Sequence, residues 1–360
     1  MKSYNHLYEK FISDENYYLA VRNATKHKGG KKRKWRYARY IRDNAEELKP
    51  RFIEYASNFK NANHKPKIIY DGIRRKQRSI LVPTMAEQVI HHMVVNILEP
   101  IFMRSMYEHS YGSLPNRGAH LAKKRIEKWI RKDADNFRYI LKLDVKKYFD
   151  SIPHDILKAR LARLIHDDRF LNLIYEIVDV NDKGIPIGFY TSQWIANWYL
   201  TGLDHYIKEV LRAKYYVRYM DDMVIAGSDK LLLHIIKDGI EKYLNEELGL
   251  ELKSNWQIFP LDKRPLDFMG FKFYCGRTTL RKTILSKAKR KARRTKKNGV
   301  NIHSARQMLS YLGWIGKTDV YGFYLRYIKP KVSFKALRLY EGHWQRIHNT
   351  HGGKNHVELV

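Results

Sequence analysis

Two spacings of apolar residues alternate along the chain, and the points where one gives way to the other divide it into elements. Residues 1–60 read as mainly helical and basic, with a break at Gly29-Gly30. Residues 66–83 alternate polar and apolar positions around Asp71-Gly72, a hairpin signal. Val89, Met93, Ile97 and Ile101 recur every four residues, which predicts a helix over 84–105. From Tyr139 to Val145 the period drops to two. Tyr139, Leu141, Leu143 and Val145 point to one face of a strand, and Ile140, Lys142 and Asp144 to the other, so Asp144 emerges beside a buried strand. A helical stretch follows near 154–178. A further helix, roughly 192–213, carries Ile195, Tyr199, Leu203, Tyr206 and Leu211 on one stripe, with Ser192 suited to its N-terminus. Tyr215–Tyr219 and Met223–Ala226 read as two short strands about a tight turn holding Asp221-Asp222. A helix over about 229–246 stops near Gly249, a β-rich piece covers 255–274, and 281–345 reads as basic helices with a Trp- and Tyr-rich apolar face.

Composition adds a partner to this picture. A chain of 360 residues, 44% of them hydrophobic, is expected to form two or three structural units. No apolar run reaches the roughly 20 residues of a membrane span, and Met1 to Lys10 lacks the pattern of a secretory signal. A cytoplasmic protein with no membrane partner is the expectation. Cys275 stands alone, which rules out an internal disulfide and a Cys-cluster zinc site. The 69 Lys and Arg outnumber 37 Asp and Glu, for a formal net charge of +32. Such a charge repels itself in a compact state, and polyphosphate is the natural neutralising partner. The cations cluster in Lys26–Arg42, Lys65–Arg78, Lys123–Lys132 and Arg281–Lys297, with Trp35, Tyr37, Tyr40 and Trp129 among them. A single basic run is ordinarily a solvated helix face; four runs with interleaved aromatics point to nucleic acid.

Two distant parts of the chain present carboxylates, Asp144 at a strand end and Asp221-Asp222 in a hairpin turn. An isolated Asp-Asp pair is most often a turn or cap. Oxygen ligands arranged this way can hold two divalent ions about 3.5–4 Å apart, activating a 3′-hydroxyl and stabilising leaving pyrophosphate. Mg2+ suits the task, with Mn2+ as an alternative. His343, His348, His351 and His356 lack Cys or acidic companions and read as a solvated tail, and His91-His92 reads as helix packing or RNA backbone contact.

Five motifs in order then supply a context. Leu143-Asp144-Val145-Lys146-Lys147-Tyr148-Phe149-Asp150-Ser151-Ile152-Pro153 resembles the first catalytic motif of reverse transcriptases, and Tyr219-Met220-Asp221-Asp222 is similar to their YxDD hairpin. Tyr111 to Gly118 resembles the motif bacterial members write YGFRPGRS. Arg78-Ser79-Ile80-Leu81-Val82-Pro83 is similar to their finger motif, and Phe268-Met269-Gly270-Phe271 to the motif after the palm. The resemblance covers about residues 65–275.

It implies an α/β (α+β) right-hand polymerase that copies RNA into DNA. The implied organisation is a basic, mainly helical N-terminal extension over 1–64, fingers and palm over 65–276, a basic helical thumb over 277–345 and a polar tail over 346–360. Asp144 and Asp221 would hold two Mg2+ ions, with Asp222 in support and the Val145 carbonyl as a further ligand. Phe149 sits where the family keeps an aromatic gate against a ribose 2′-hydroxyl. Lys76 and Arg78 match residues that grip the incoming triphosphate, and Ile187 and Gly188 line the same deoxynucleotide site. Arg117, Gln193, Tyr219, Met220 and Trp256 fall at template and primer positions.

One departure narrows the resemblance. Most reverse transcriptases carry Gln-Gly-x-x-x-Ser-Pro before the long palm helix, whereas this chain has Ile187-Gly188-Phe189-Tyr190-Thr191-Ser192-Gln193. That form, with Asn255-Trp256-Gln257-Ile258, resembles the reverse transcriptases of diversity-generating retroelements. Those copy a template-repeat RNA with frequent errors at adenines and work with a small basic pentameric accessory protein. A retron or phage-defence reverse transcriptase stands as the alternative, as does Ile187 as a tolerated core residue. A non-catalytic RNA-binding scaffold is a third reading, disfavoured by the three intact carboxylates.

Overall fold

The computed structural model describes residues 3–26, 33–62, 64–71 and 76–350, apart from the side chains of 33–35, 71, 76 and 348–350. Gly29, Gly30 and Gly72, where the sequence predicts breaks, lie outside the described residues. The chain divides into two units, Met1–Ala122 with Asp135–Phe259, and Lys123–Ala134 with Pro260–Val360.

The first unit begins with helices α1 (Leu7–Phe11), α2 (Asp14–Thr25), α3 (Arg33–Asp43) and α4 (Ala45–Ser57). The described residues of this N-terminal stretch pack within the first unit. Asn16 Nδ2 donates to the carbonyls of Phe11 and Met93, and Tyr4 exchanges backbone hydrogen bonds with Leu164 and His166. The hairpin of β1 (Lys67–Asp71) and β2 (Lys76–Ile80) follows, and then helix α5 (Met85–Ser105). Thr84 and Glu87 form a reciprocal capping box on α5, which explains its start. Val89, Met93 and Ile101 of the predicted stripe are buried. Helix α6 (Ala119–Lys132) comes next, and its residues from Lys123 onward belong to the second unit.

Strand β3 (Tyr139–Asp144) lies in the middle of the first unit's principal sheet. It is followed by α7 (Tyr148–Ser151), α8 (His154–Leu164), α9 (Asp168–Val178), α10 (Tyr190–Tyr199), α11 (Thr201–His205) and one π turn (Tyr206–Val210). Strands β4 (Tyr215–Tyr219) and β5 (Asp222–Gly227), helix α12 (Lys230–Leu248) and strand β6 (Gln257–Pro260) complete the set. The sheet runs in the order β4-β5-β3-β6, with β5 antiparallel to both β4 and β3. Gly249 ends α12 with φ 59, as its position predicts.

Two predicted helices are interrupted. The stretch near 154–178 is two helices: the first ends at Leu164, and Asp167 caps the start of the second, its Oδ1 accepting from Phe170 N and its Oδ2 from Leu7 N and Tyr8 N. The stretch 192–213 begins earlier, at Tyr190, so Ser192 is buried within it and caps nothing. It breaks at Leu200, then widens into the π turn, whose extra residue shifts the stripe and leaves Tyr206 and Leu211 only half-buried.

The second unit holds a three-stranded sheet of β7 (Leu266–Phe268), β8 (Phe271–Phe273) and β9 (Thr278–Leu280), in that order. Helices α13 (Lys282–Asn298), α14 (Ile302–Ile315), α15 (Tyr321–Phe323) and α16 (Phe334–Thr350) follow, with a π turn (Tyr324–Ile328) before α16. Helix α13 carries nine Lys and Arg in 17 residues and no acid, and buries only Ala288, Ala292 and Thr295. It therefore presents charge over almost its whole surface. Helix α16 runs to Thr350, so the first part of the predicted tail is helical; His351 and His356 lie outside the described residues.

Candidate active site

Asp144 ends β3 and Asp222 begins β5, and the antiparallel register sets the two opposite each other. β4 stops at Tyr219, so Met220 and Asp221 make the turn between the strands, Met220 with φ 56. An L residue adopts that conformation only when its surroundings hold it. Here Arg218 Nη1 donates to the Met220 carbonyl at 3.0 Å, and Gly112 packs against the turn from the other side. A Cβ on Gly112 would lie 2.5 Å from Met220 N, so no larger residue fits.

The three carboxylates are half-buried. Burial, and next the charge of Asp144, push the Asp221 carboxyl up to about 7. Asp144 has a cation of its own: Lys253 Nζ lies 2.5 Å from Oδ2. The hydrogen bond to Asp144 raises the Lys253 pKa above its ordinary value. The residues after Asp144 pair with 251–253, Lys253 N donating to the Asp144 carbonyl and Lys146 N to the Glu251 carbonyl, both at 2.9 Å. This antiparallel bridge between Val145 and Leu252 uses the groups of the neighbouring residues. By the alternation of such ladders, the Val145 carbonyl points away from that strand.

Among the described residues, no group of three or more His, Cys, Asp and Glu closes around one point. The protein offers hard oxygens at one end of a sheet instead of a closed cage. That donor set fits Mg2+, which keeps waters and substrate phosphates in its shell. The ammonium against Asp144 and the raised pKa of Asp221 both reflect negative charge crowded at this end of the sheet.

The residues the sequence associates with the nucleotide lie on β2, in the segment just before α10 and on α7. Arg78 is exposed on β2 opposite Ile69. Lys76 begins β2, and its side chain lies outside the described residues. The strand's continuation is tied to Ile187 and Gly188, since Leu81 N donates to the Ile187 carbonyl at 2.8 Å. Gly188 has φ 118, and a Cβ there would fall 2.1 Å from the Leu81 carbonyl oxygen, so glycine alone satisfies the contact. Phe149 is half-buried, and its carbonyl accepts from Ile185 N at 2.8 Å.

The template and primer candidates are placed less uniformly. Gln193 is exposed and Tyr219 half-buried next to the turn. Arg117 Nη1 donates to the carbonyls of Tyr107 and Ser110, which holds that loop. Trp256 is half-buried with Lys237 Nζ 5.0 Å above its ring and the His234 ring edge-on at 5.8 Å, packing of the kind that fixes α12.

Four supporting residues give little or no signal in the sequence. Arg218 and Asp204 form a fully buried pair behind the turn, joined by Asn197, whose Oδ1 accepts from Arg218 Nη1 at 3.3 Å. Burial is the largest influence and lowers the Arg218 pKa, but the charge and hydrogen bond of Asp204, with Tyr216 and Tyr148, together outweigh it and the net shift is upward. A lone Arg in the apolar run Tyr215–Tyr219 was the available signal. Lys253 gave none, because its contact with Asp144 joins segments more than a hundred residues apart.

Residues 63–273 match the family model described as reverse transcriptase (RNA-dependent DNA polymerase). The retron Ec73 reverse transcriptase of Escherichia coli is 26% identical over 227 residues, which span 58% of this chain and 67% of that protein. The group II intron-encoded protein LtrA of Lactococcus lactis subsp. cremoris is 25% identical over 58% of this chain and 36% of its own length. The putative COX1/OXI3 intron 2 protein of Saccharomyces cerevisiae is 23% identical over 54% of this chain, which spans only 30% of that protein. Among solved structures, apo telomerase from Candida tropicalis superposes with a TM-score of 0.51 at 14% identity, covering 82% of this chain and 65% of that one. The fold is that of the right-hand polymerases, and no helix among the described residues is long and apolar enough to cross a membrane. By its sequence match over more than half its length, the chain belongs to the reverse transcriptase (RNA-dependent DNA polymerase) family.

Proposed function

We propose that this protein synthesises complementary DNA on an RNA template, with Asp144 and Asp221 as the metal-holding catalytic carboxylates and Asp222 in support. The observation that carries the proposal is the register pair of Asp144 and Asp222 with Asp221 in the adjoining turn, inside the segment that matches the family. Divalent ions, Mg2+ by the chemistry of the donor set, would activate the primer 3′-hydroxyl and neutralise the leaving pyrophosphate. The protein's own part is positional. Asp144, Asp221 and the Val145 carbonyl would present oxygen to the ions, and the Leu81–Ile187 hydrogen bond fixes the segment that carries Gly188. Phe149 would crowd a ribose 2′-hydroxyl, and Arg78 and Lys76 would take the triphosphate. Template RNA and product DNA would lie against basic surfaces such as that of α13.

Within that activity, the Ile187-Gly188-x-x-x-Ser192-Gln193 form favours the adenine-mutagenic enzyme of a diversity-generating retroelement, working with a small basic pentameric accessory protein. The similarity to a retron reverse transcriptase favours a second reading, accurate copying in a retron-like system. Primer extension by the purified chain on a defined RNA, followed by sequencing of the product, tests both levels. DNA product supports the polymerase, and errors concentrated opposite template adenine select the first reading. Accurate copying selects the second, and absence of product with an intact, RNA-binding protein leaves the scaffold reading.

A further inference from the structure

We propose that Lys253 is an internal counter-ion that competes with divalent cations for Asp144 and thereby sets the cation concentration at which the site loads. The inference rests on the polymerase reading above, and it concerns a residue outside the five motifs.

Its ammonium lies 2.5 Å from Asp144 Oδ2, an oxygen that a catalytic ion would need. The contact is built into the backbone. Lys253 N donates to the carbonyl of Asp144 itself, and the Val145–Leu252 bridge locks the two segments in register. The lysine therefore leaves Asp144 only by rotating its side chain. The neighbouring cation is engaged elsewhere, since Lys146 Nζ pairs with Glu251 Oε2 at 2.6 Å.

Two consequences follow from Coulomb's law. With the ammonium in place, one negative charge of the Asp144–Asp221–Asp222 group is neutralised, and the folded protein tolerates the cluster without an ion. A divalent ion must break that pair before using both oxygens of Asp144, and its binding is weakened by the same amount. The lysine is 41% exposed at its side chain, so it has room to swing aside once an ion arrives. A solvated surface pair with no connection to the site would have neither property, since its removal would leave cation affinity where it was.

The test uses Mn2+ alone, titrated into the full chain without nucleotide or nucleic acid, with free Mn2+ read by electron paramagnetic resonance. Lys253→Met is expected to bind Mn2+ several-fold more tightly than the wild type and to unfold at a lower temperature in a chelator. Lys253→Gln repeats the measurement should the Met variant fold poorly, and Lys253→Arg, which keeps the charge, is expected to bind no more tightly than the wild type. Affinity in the neutral variants equal to or below that of the wild type overturns the proposal, as does tightening in Lys253→Arg. Asp144→Asn separates this from the parent reading. If it loses Mn2+ while Lys253→Met is unchanged, only the counter-ion role fails; if it binds Mn2+ like the wild type, the metal-site assignment itself fails.

Discussion

Arg218 and Asp204 form an ion pair of 2.5 Å, both side chains without solvent exposure, and Arg218 also holds the Met220 carbonyl of the Asp221-Asp222 turn. Tyr216 adds a hydroxyl donor to Asp204 Oδ1 at 2.6 Å. A buried pair adds little against an apolar replacement, yet removing one partner strands the other charge. Asp204→Ala is therefore predicted to cost about 3–5 kcal/mol in urea unfolding. Polymerase activity per folded molecule is predicted to fall as well, because the strained Met220 backbone loses its clamp. A cost near zero would show that the pair is not the turn's support.

Asp167 accepts hydrogen bonds from the start of two helices, α1 and α9. Burial works against its charge, but the N–H groups of Tyr8, Phe170 and Leu7 with the Arg169 charge hold its pKa below the ordinary value. Such a group stabilises the fold above its unfolded pKa of about 3.9, and that contribution is lost as pH falls through the lower folded value. Asp167→Ala is predicted to destabilise the protein by about 1–2 kcal/mol at neutral pH. The gap between the two proteins in denaturant midpoint should narrow in acid; a gap that widens would contradict the assignment.

Phe149 bears on sugar choice. If its ring crowds the 2′-hydroxyl, Phe149→Ala and Phe149→Val should incorporate ribonucleotides more readily relative to deoxynucleotides, by several-fold in single-nucleotide extension. Unchanged discrimination in a variant that still polymerises would place the gate on another residue.

Ile187 offers a clean test of a side chain, because its backbone carbonyl is already fixed by Leu81 N at 2.8 Å. Ile cannot hydrogen-bond to the nascent pair, and a restored bond of roughly 0.5–1.5 kcal/mol corresponds to a several-fold gain in selectivity. Ile187→Gln should lower misincorporation opposite template adenine by about that factor. Equal error spectra from the two proteins would remove Ile187 from fidelity altogether.

The site's centre could be read from the sequence because its signals are local. Asp144 ends a two-residue alternation, Asp221-Asp222 sits between two apolar runs, and Gly249 follows a periodic helix. What surrounds the centre could not. The Lys253–Asp144 contact and the Arg218–Asp204 pair join segments by tertiary pairing, and charged residues give no periodic sign of burial. The break at Leu200 and the π turn after it escape for a related reason, since an inserted residue preserves composition while shifting the stripe. Trp256 shows the converse: a motif residue assigned to template and primer also has a local role against His234 and Lys237.

The most direct test of the central claim is DNA synthesis on an RNA template by Asp144→Asn and Asp221→Asn beside the wild type, with RNA binding measured on the same preparations. Both variants are predicted to lose extension while retaining RNA affinity, since binding rests on basic surfaces distant in kind from the carboxylates. Extension at the wild-type rate by either variant would contradict the active-site assignment.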